Sequence, residues 1–181
     1  PVYLDDVLLS RQFTTLGPQL SDVFVRTATF ATDKTGRALA YVVTDGGRNT
    51  PAQLVEIDVD SGTRTRSVNL NAGSPAGSWA STTAADGTVY VASFQPGMLW
   101  SYQPGAAKAT RLAVIPSAQV PFALAAGPGG VVYIGGYPDG IVYRYVPGRS
   151  GVIPYINARK LTGQQYVRSL AVDGTTRTLY V

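Results

Sequence analysis

Four segments of the chain are near copies of one another: Arg37-Ala-Leu-Ala-Tyr41-Val-Val-Thr44, Thr88-Val-Tyr90-Val-Ala-Ser93, Val131-Val-Tyr133-Ile-Gly-Gly136 and Thr178-Leu-Tyr180-Val181. Their tyrosines stand 49, 43 and 47 residues apart. A β unit recurring at this period cannot bury its apolar faces alone. Stacking copies of it around an axis does so, and this is how propeller blades are built.

Each repeat reads as four strands. A small, apolar first strand opens it: Ala28-Thr-Phe-Ala31, Ala80-Ser-Thr-Thr83, Ala123-Leu-Ala-Ala126 and Ser169-Leu-Ala-Val172. Small side chains suit the crowded axis. Turns rich in Asp and Gly follow at 33–36, 85–87, 127–130 and 173–174, where glycine supplies positive φ. The tyrosine strand comes second. The third strand alternates: Val55, Ile57 and Val59 share one face, and Glu56, Asp58 and Asp60 the other. Fourth strands are expected at 65–70, 110–114 and 152–156. There Pro154 requires an edge, because it has no N–H to give a ladder.

The expected fold is therefore all-β: a β-propeller of four-stranded antiparallel blades, with about three and a half blades in this chain. Residues 1–21 form a lead-in segment. Blades span 22–73, 74–119 and 120–165, and an incomplete blade spans 166–181. A chain starting at Pro1 is expected to continue upstream. The ring is expected to close with a further propeller segment or a second chain, since open sheet edges invite aggregation. The alternative is a four-bladed ring, with residues Val2–Thr15 serving as the missing outer strands of blade four.

Composition excludes several chemistries. Cysteine and histidine are both absent, so disulfides, thiolate nucleophiles, zinc–sulfur centres, a Ser–His–Asp triad and histidine-bound metals cannot be built from this chain. No apolar run approaches the roughly 18 residues of a membrane helix. The net charge of +4 comes from twelve Arg and three Lys against eleven acids. Arginine grips carboxylates and phosphates through two bonds at once, which directs attention to an anionic ligand. No basic cluster with interleaved aromatics marks a nucleic-acid surface. Asp58-x-Asp60-x-Gly62 has the start of a calcium loop but lacks its later carboxylates, and no metal site or cofactor is expected.

Tyr41-Val-Val-Thr44 followed by Leu54-Val-Glu-Ile-Asp-Val-Asp-Ser-Gly-Thr63 resembles the YVTN-type repeat of secreted and surface bacterial β-propellers. It is also similar to quinoprotein-like and streptogramin-lyase-like propellers. The resemblance covers about residues 22–181 and implies a propeller that is exported. Streptogramin lyases depend on histidine and a metal, and this chain has no histidine to carry that activity.

In such a fold a ligand meets the axial face. Its loops lead into the first strands and join the second strands to the third. The first set holds Arg26, Trp79, Phe122, Tyr166 and Arg168. The second holds Asp45, Arg48, Phe94, Gln95, Tyr137 and Asp139. Aromatic faces stack on sugar rings, while Arg and Asp fix carboxylates and hydroxyls. Tyr137 and Tyr166 are the candidate catalytic residues, since tyrosine can act as acid or base without histidine. The others are candidate ligand-binding residues.

The expected function is part of a secreted or cell-surface carbohydrate-active propeller, a polysaccharide lyase or hydrolase that binds an acidic glycan. Its alternative is a noncatalytic ligand- or protein-binding scaffold. A quinone-cofactor dehydrogenase, with Trp79 stacked on the cofactor, lacks the acidic metal cluster it needs.

Overall fold

A computed structural model describes residues 24–46, 50–70, 77–95, 97–116 and 120–181. The first blade is β1 (Val25–Thr32), β2 (Ala38–Thr44), β3 (Gln53–Asp58) and β4 (Arg64–Asn69), hydrogen-bonded in that order. The second is β5 (Gly77–Thr83), β6 (Val89–Phe94), β7 (Met98–Tyr102) and β8 (Thr110–Val114). The third is β9 (Val120–Ala126), β10 (Val132–Tyr137), β11 (Ile141–Tyr145) and β12 (Val152–Asn157). A fourth sheet holds β13 (Ala171–Asp173) and β14 (Thr178–Tyr180). Every pairing is antiparallel between sequence neighbours. The lead-in segment 1–21 and the ring-closing role given to Val2–Thr15 lie outside the described residues.

The first strands pack side by side in the order β1, β5, β9, β13, which sets the four sheets about one axis. Small polar side chains join β1 to β5 there. Thr27 and Ser81 hydroxyls lie 2.8 Å apart, and those of Thr29 and Thr83 3.0 Å apart. The repeat tyrosines all fall on second strands, opposite Thr29, Thr82, Ala125 and Ala171.

The core lies between blades. Leu39, Tyr41, Val43, Leu54 and Val68 of blade one meet Val89, Val91, Met98, Trp100 and Tyr102 of blade two. From the other face of blade two, Tyr90, Ala92 and Leu99 meet Leu124, Ile134, Tyr143 and Tyr145 of blade three. Strand β6 therefore has both faces covered and reads as an unbroken apolar run. Each fully buried Val, Leu or aromatic side chain contributes about 1.5–3 kcal/mol.

Glu56 lies on the acidic face of its strand, and that face is covered. It is 5% exposed and bridges two blades. Its Oε2 accepts from the Tyr41 hydroxyl at 3.0 Å and from the Tyr102 hydroxyl of blade two at 3.3 Å, and its Oε1 accepts from Thr65 Oγ1 at 2.7 Å. The equivalent positions, opposite Tyr90 and Tyr133, are Ser101 and Arg144. The polar tie thus belongs to one interface, not to the repeat.

Two further differences concern the passage into the fourth sheet. A single-turn helix, α1 (Ala158–Thr162), follows β12, capped by the Asn157 side chain and ended by Gly163 at φ 78°. The first strand then starts at Ala171, later than the expected Ser169. Pro154 sits in β12, the outermost strand of its sheet, as its missing N–H requires. Among the described residues, no helix is long and apolar enough to cross a membrane.

Candidate functional site

In an antiparallel meander, the start of the first strand and the junction of the second and third lie at the same end of the sheet. Pairing confirms this here: Val25 lies opposite Thr44, Gly77 opposite Phe94, and Val120 opposite Tyr137. At this end each first strand carries an irregularity. The register skips Arg26 in β1, Trp79 in β5 and Phe122 in β9. Each lies three residues before the partner of its repeat tyrosine. A β-bulge frees one residue from the ladder and re-aims its side chain. The same offset before Ala171 is Arg168.

One repeat position thus holds Arg26, Trp79, Phe122 and Arg168 in successive blades, and these side chains touch in sequence. The Arg26 guanidinium lies 4.4 Å over the Trp79 ring. Trp79 and Phe122 have centroids 5.8 Å apart. The Arg168 guanidinium lies 4.6 Å over Phe122. Tyr137, at the end of β10, and Tyr166, before β13, flank this ladder with centroids 6.4 and 5.8 Å from Phe122. Trp79 is 38% and Tyr166 48% exposed, so ring faces remain open to solvent.

The two arginines differ in their surroundings. Arg26 Nε donates to Asp45 Oδ2 at 2.7 Å, forming an ion pair. Asp45 is held by its own backbone N–H, which donates to the Phe24 carbonyl at 2.9 Å. Its Oδ1 is buried without a hydrogen-bond partner and sits where a Cβ on Gly77 would fall. Gly77 has φ 143°, a conformation that other residues rarely adopt, so glycine is needed there twice over. Arg168 is exposed, and among the described residues no carboxylate pairs with it.

Tyr137 and Tyr166 stack, with centroids 4.2 Å apart and planes inclined by 17°. The neighbouring Tyr137 hydroxyl, ahead of burial, holds the Tyr166 phenol above its ordinary pKa, while Arg168 pulls the other way. Tyr166 is thereby a weaker acid than a free tyrosine and stays protonated at neutral pH.

The remaining candidates are placed differently. Asp139 uses both carboxylate oxygens within blade three: Oδ1 accepts from Ile141 N at 3.0 Å, and Oδ2 from the Tyr143 hydroxyl at 2.6 Å. Phe94 is half-buried opposite Gly77, and Gln95 is exposed beside it at φ 54°. Arg48 lies outside the described residues. Asp58 is locked in its turn by Ser61 N and Oγ, both at 2.8 Å, and no cluster of metal-ligating side chains forms among the described residues. Sequence reasoning missed Phe24, 5.8 Å from the Arg26 guanidinium, and Gly77. Aligning the repeats on their tyrosines would have exposed the shared bulge position.

No protein-family model matches the sequence, and no curated protein matches it. Solved structures do. The BT4673 extracellular domain from B. thetaiotaomicron superposes with a TM-score of 0.66 at 16% identity, over 95% of this chain and 22% of that one. Virginiamycin B lyase from Staphylococcus aureus gives 0.57 at 8% identity, over 84% and 61%. Peptide-bound YCF48 gives 0.53 at 16% identity, over 89% and 49%. This chain spans less than two thirds of each. At such identities the likeness concerns the fold alone, and together with the four sheets it makes this chain part of a β-propeller.

Proposed function

We propose that the axial face binds an acidic glycan, in a propeller that is secreted or displayed at the cell surface. The arginine-capped aromatic ladder carries this reading. Exposed Trp79 and Tyr166 and half-buried Phe122 offer ring faces to the C–H faces of sugars, and Arg168, with no carboxylate partner among the described residues, offers its guanidinium to a carboxylate. Likeness to an extracellular domain is in keeping with export.

A catalytic reading, as polysaccharide lyase or hydrolase, rests on the tyrosine pair. Tyr166, stacked on Tyr137 at the axial end of the blades, would give a proton to the departing glycosidic oxygen. The base that a lyase also needs would have to come from another group.

Titration of the protein with uronate-containing and neutral oligosaccharides of equal length, followed by calorimetry and Trp79 fluorescence, tests the binding. The acidic series is expected to bind more tightly, with affinity falling as salt is added. Trp79→Ala should weaken it about tenfold or more, or 1.4 kcal/mol. If neither series binds, the reading is wrong and the scaffold alternative takes its place.

A further inference from the structure

The ladder has two unlike ends. One is Arg26, neutralised by Asp45 at 2.7 Å and pressed on Trp79. The other is Arg168, which no carboxylate neutralises among the described residues, over Phe122. Both hold the same place relative to their repeat tyrosines, so a ligand lying across the blades would meet both. Their charges are nevertheless unequal. A second carboxylate reaching Arg26 would meet Asp45 as well, and like charges repel at close range. An uncharged sugar meets a better match there, because hydroxyls can both donate and accept. Asp45 Oδ1 is buried against Gly77, so a sugar there would meet the Arg26–Asp45 pair at Oδ2 and the guanidinium.

We infer that the face reads a glycan directionally. An acidic residue docks at Arg168, ring faces lie over Phe122 and Trp79, and an uncharged residue docks at the Arg26–Asp45 pair. The preferred ligand is then an oligosaccharide of mixed acidic and neutral residues, not a polyuronate. This rests on the glycan-binding reading and adds polarity to it.

The test compares three oligosaccharides of equal length on the intact chain: neutral, mixed with one terminal uronate, and fully uronate. The wild type should favour the mixed one. Arg168→Gln should weaken the mixed ligand about tenfold, the order of one charge-assisted contact, and leave the neutral one within about twofold. Arg26→Gln should weaken both by the same factor and keep the preference. Asp45→Asn, which removes the competing charge, should make the fully uronate ligand bind more tightly than it does to the wild type. A gain of that kind cannot come from misfolding. Preference that survives in Arg168→Gln but is lost in Arg26→Gln overturns the assignment, as does an Asp45→Asn protein that gains nothing. Absence of binding to all three defeats the glycan reading itself.

Discussion

The ring of Tyr166 lies nearly flat on that of Tyr137, 4.2 Å away and inclined by 17°, although one precedes the fourth sheet and the other ends β10 of the third. Such pairs contribute about 0.5–1.5 kcal/mol beyond the area they bury. Tyr166→Phe keeps the stack and should leave the melting temperature close to that of the wild type. Tyr166→Ala removes it and should cost about 1–2 kcal/mol, read by denaturant unfolding. If the phenol serves as a proton donor in turnover, Tyr166→Phe alone should abolish activity on any glycan the protein cleaves.

Glu56 accepts from three hydroxyls, those of Tyr41 and Thr65 in its own blade and that of Tyr102 in blade two. Glu56→Ala leaves the buried Tyr41 and Tyr102 hydroxyls without this acceptor and should destabilise by about 2–4 kcal/mol. Glu56→Gln keeps one carbonyl acceptor and should cost less. Equal melting curves for the two variants would show that the carboxylate is not what joins the blades.

The same interface sets an alkaline limit. Burial, with the Glu56 charge behind it, pushes the Tyr102 phenol up to about 12, and burial followed by its bond to Glu56 raises Tyr41 as well. The pKa values are higher folded than unfolded. The stability they carry is therefore complete below about pH 10, where the unfolded phenol begins to ionise, and is lost as the pH rises toward 12. For Tyr102 this amounts to about 2–3 kcal/mol. Spectrophotometric titration should show ionisation coinciding with unfolding above pH 10, and Tyr102→Phe should flatten that part of the stability profile.

Gly77 and Asp45 cannot both keep their places if a methyl group is added. Gly77→Ala places a Cβ on Asp45 Oδ1 at a backbone φ of 143°. It should destabilise by more than about 1 kcal/mol and displace Asp45 from Arg26. Its melting temperature should fall and its glycan selectivity should move in the direction of Asp45→Asn. A fully stable Gly77→Ala protein would mean that the bulge in β5 relaxes freely.

The tyrosine period, the turn glycines and the small first-strand residues were enough to determine blades, strand order and the edge position of Pro154. Each is a local rule of side-chain size, φ or hydrogen bonding, and the repeat applies it several times over. The same period marked Arg26, Trp79, Phe122 and Arg168 as residues near the axis. Tertiary structure alone decided the rest. Bulges free three of these residues from their ladders, and neighbouring blades bring all four into contact. Asp45 neutralises one arginine, while among the described residues its counterpart Arg168 has no carboxylate partner. Glu56 is buried although it carries a charge, because the face it shares with Leu54 packs on blade two. Alternation records which residues share a face; what covers that face depends on residues some 46 positions away, such as Tyr102 for Glu56.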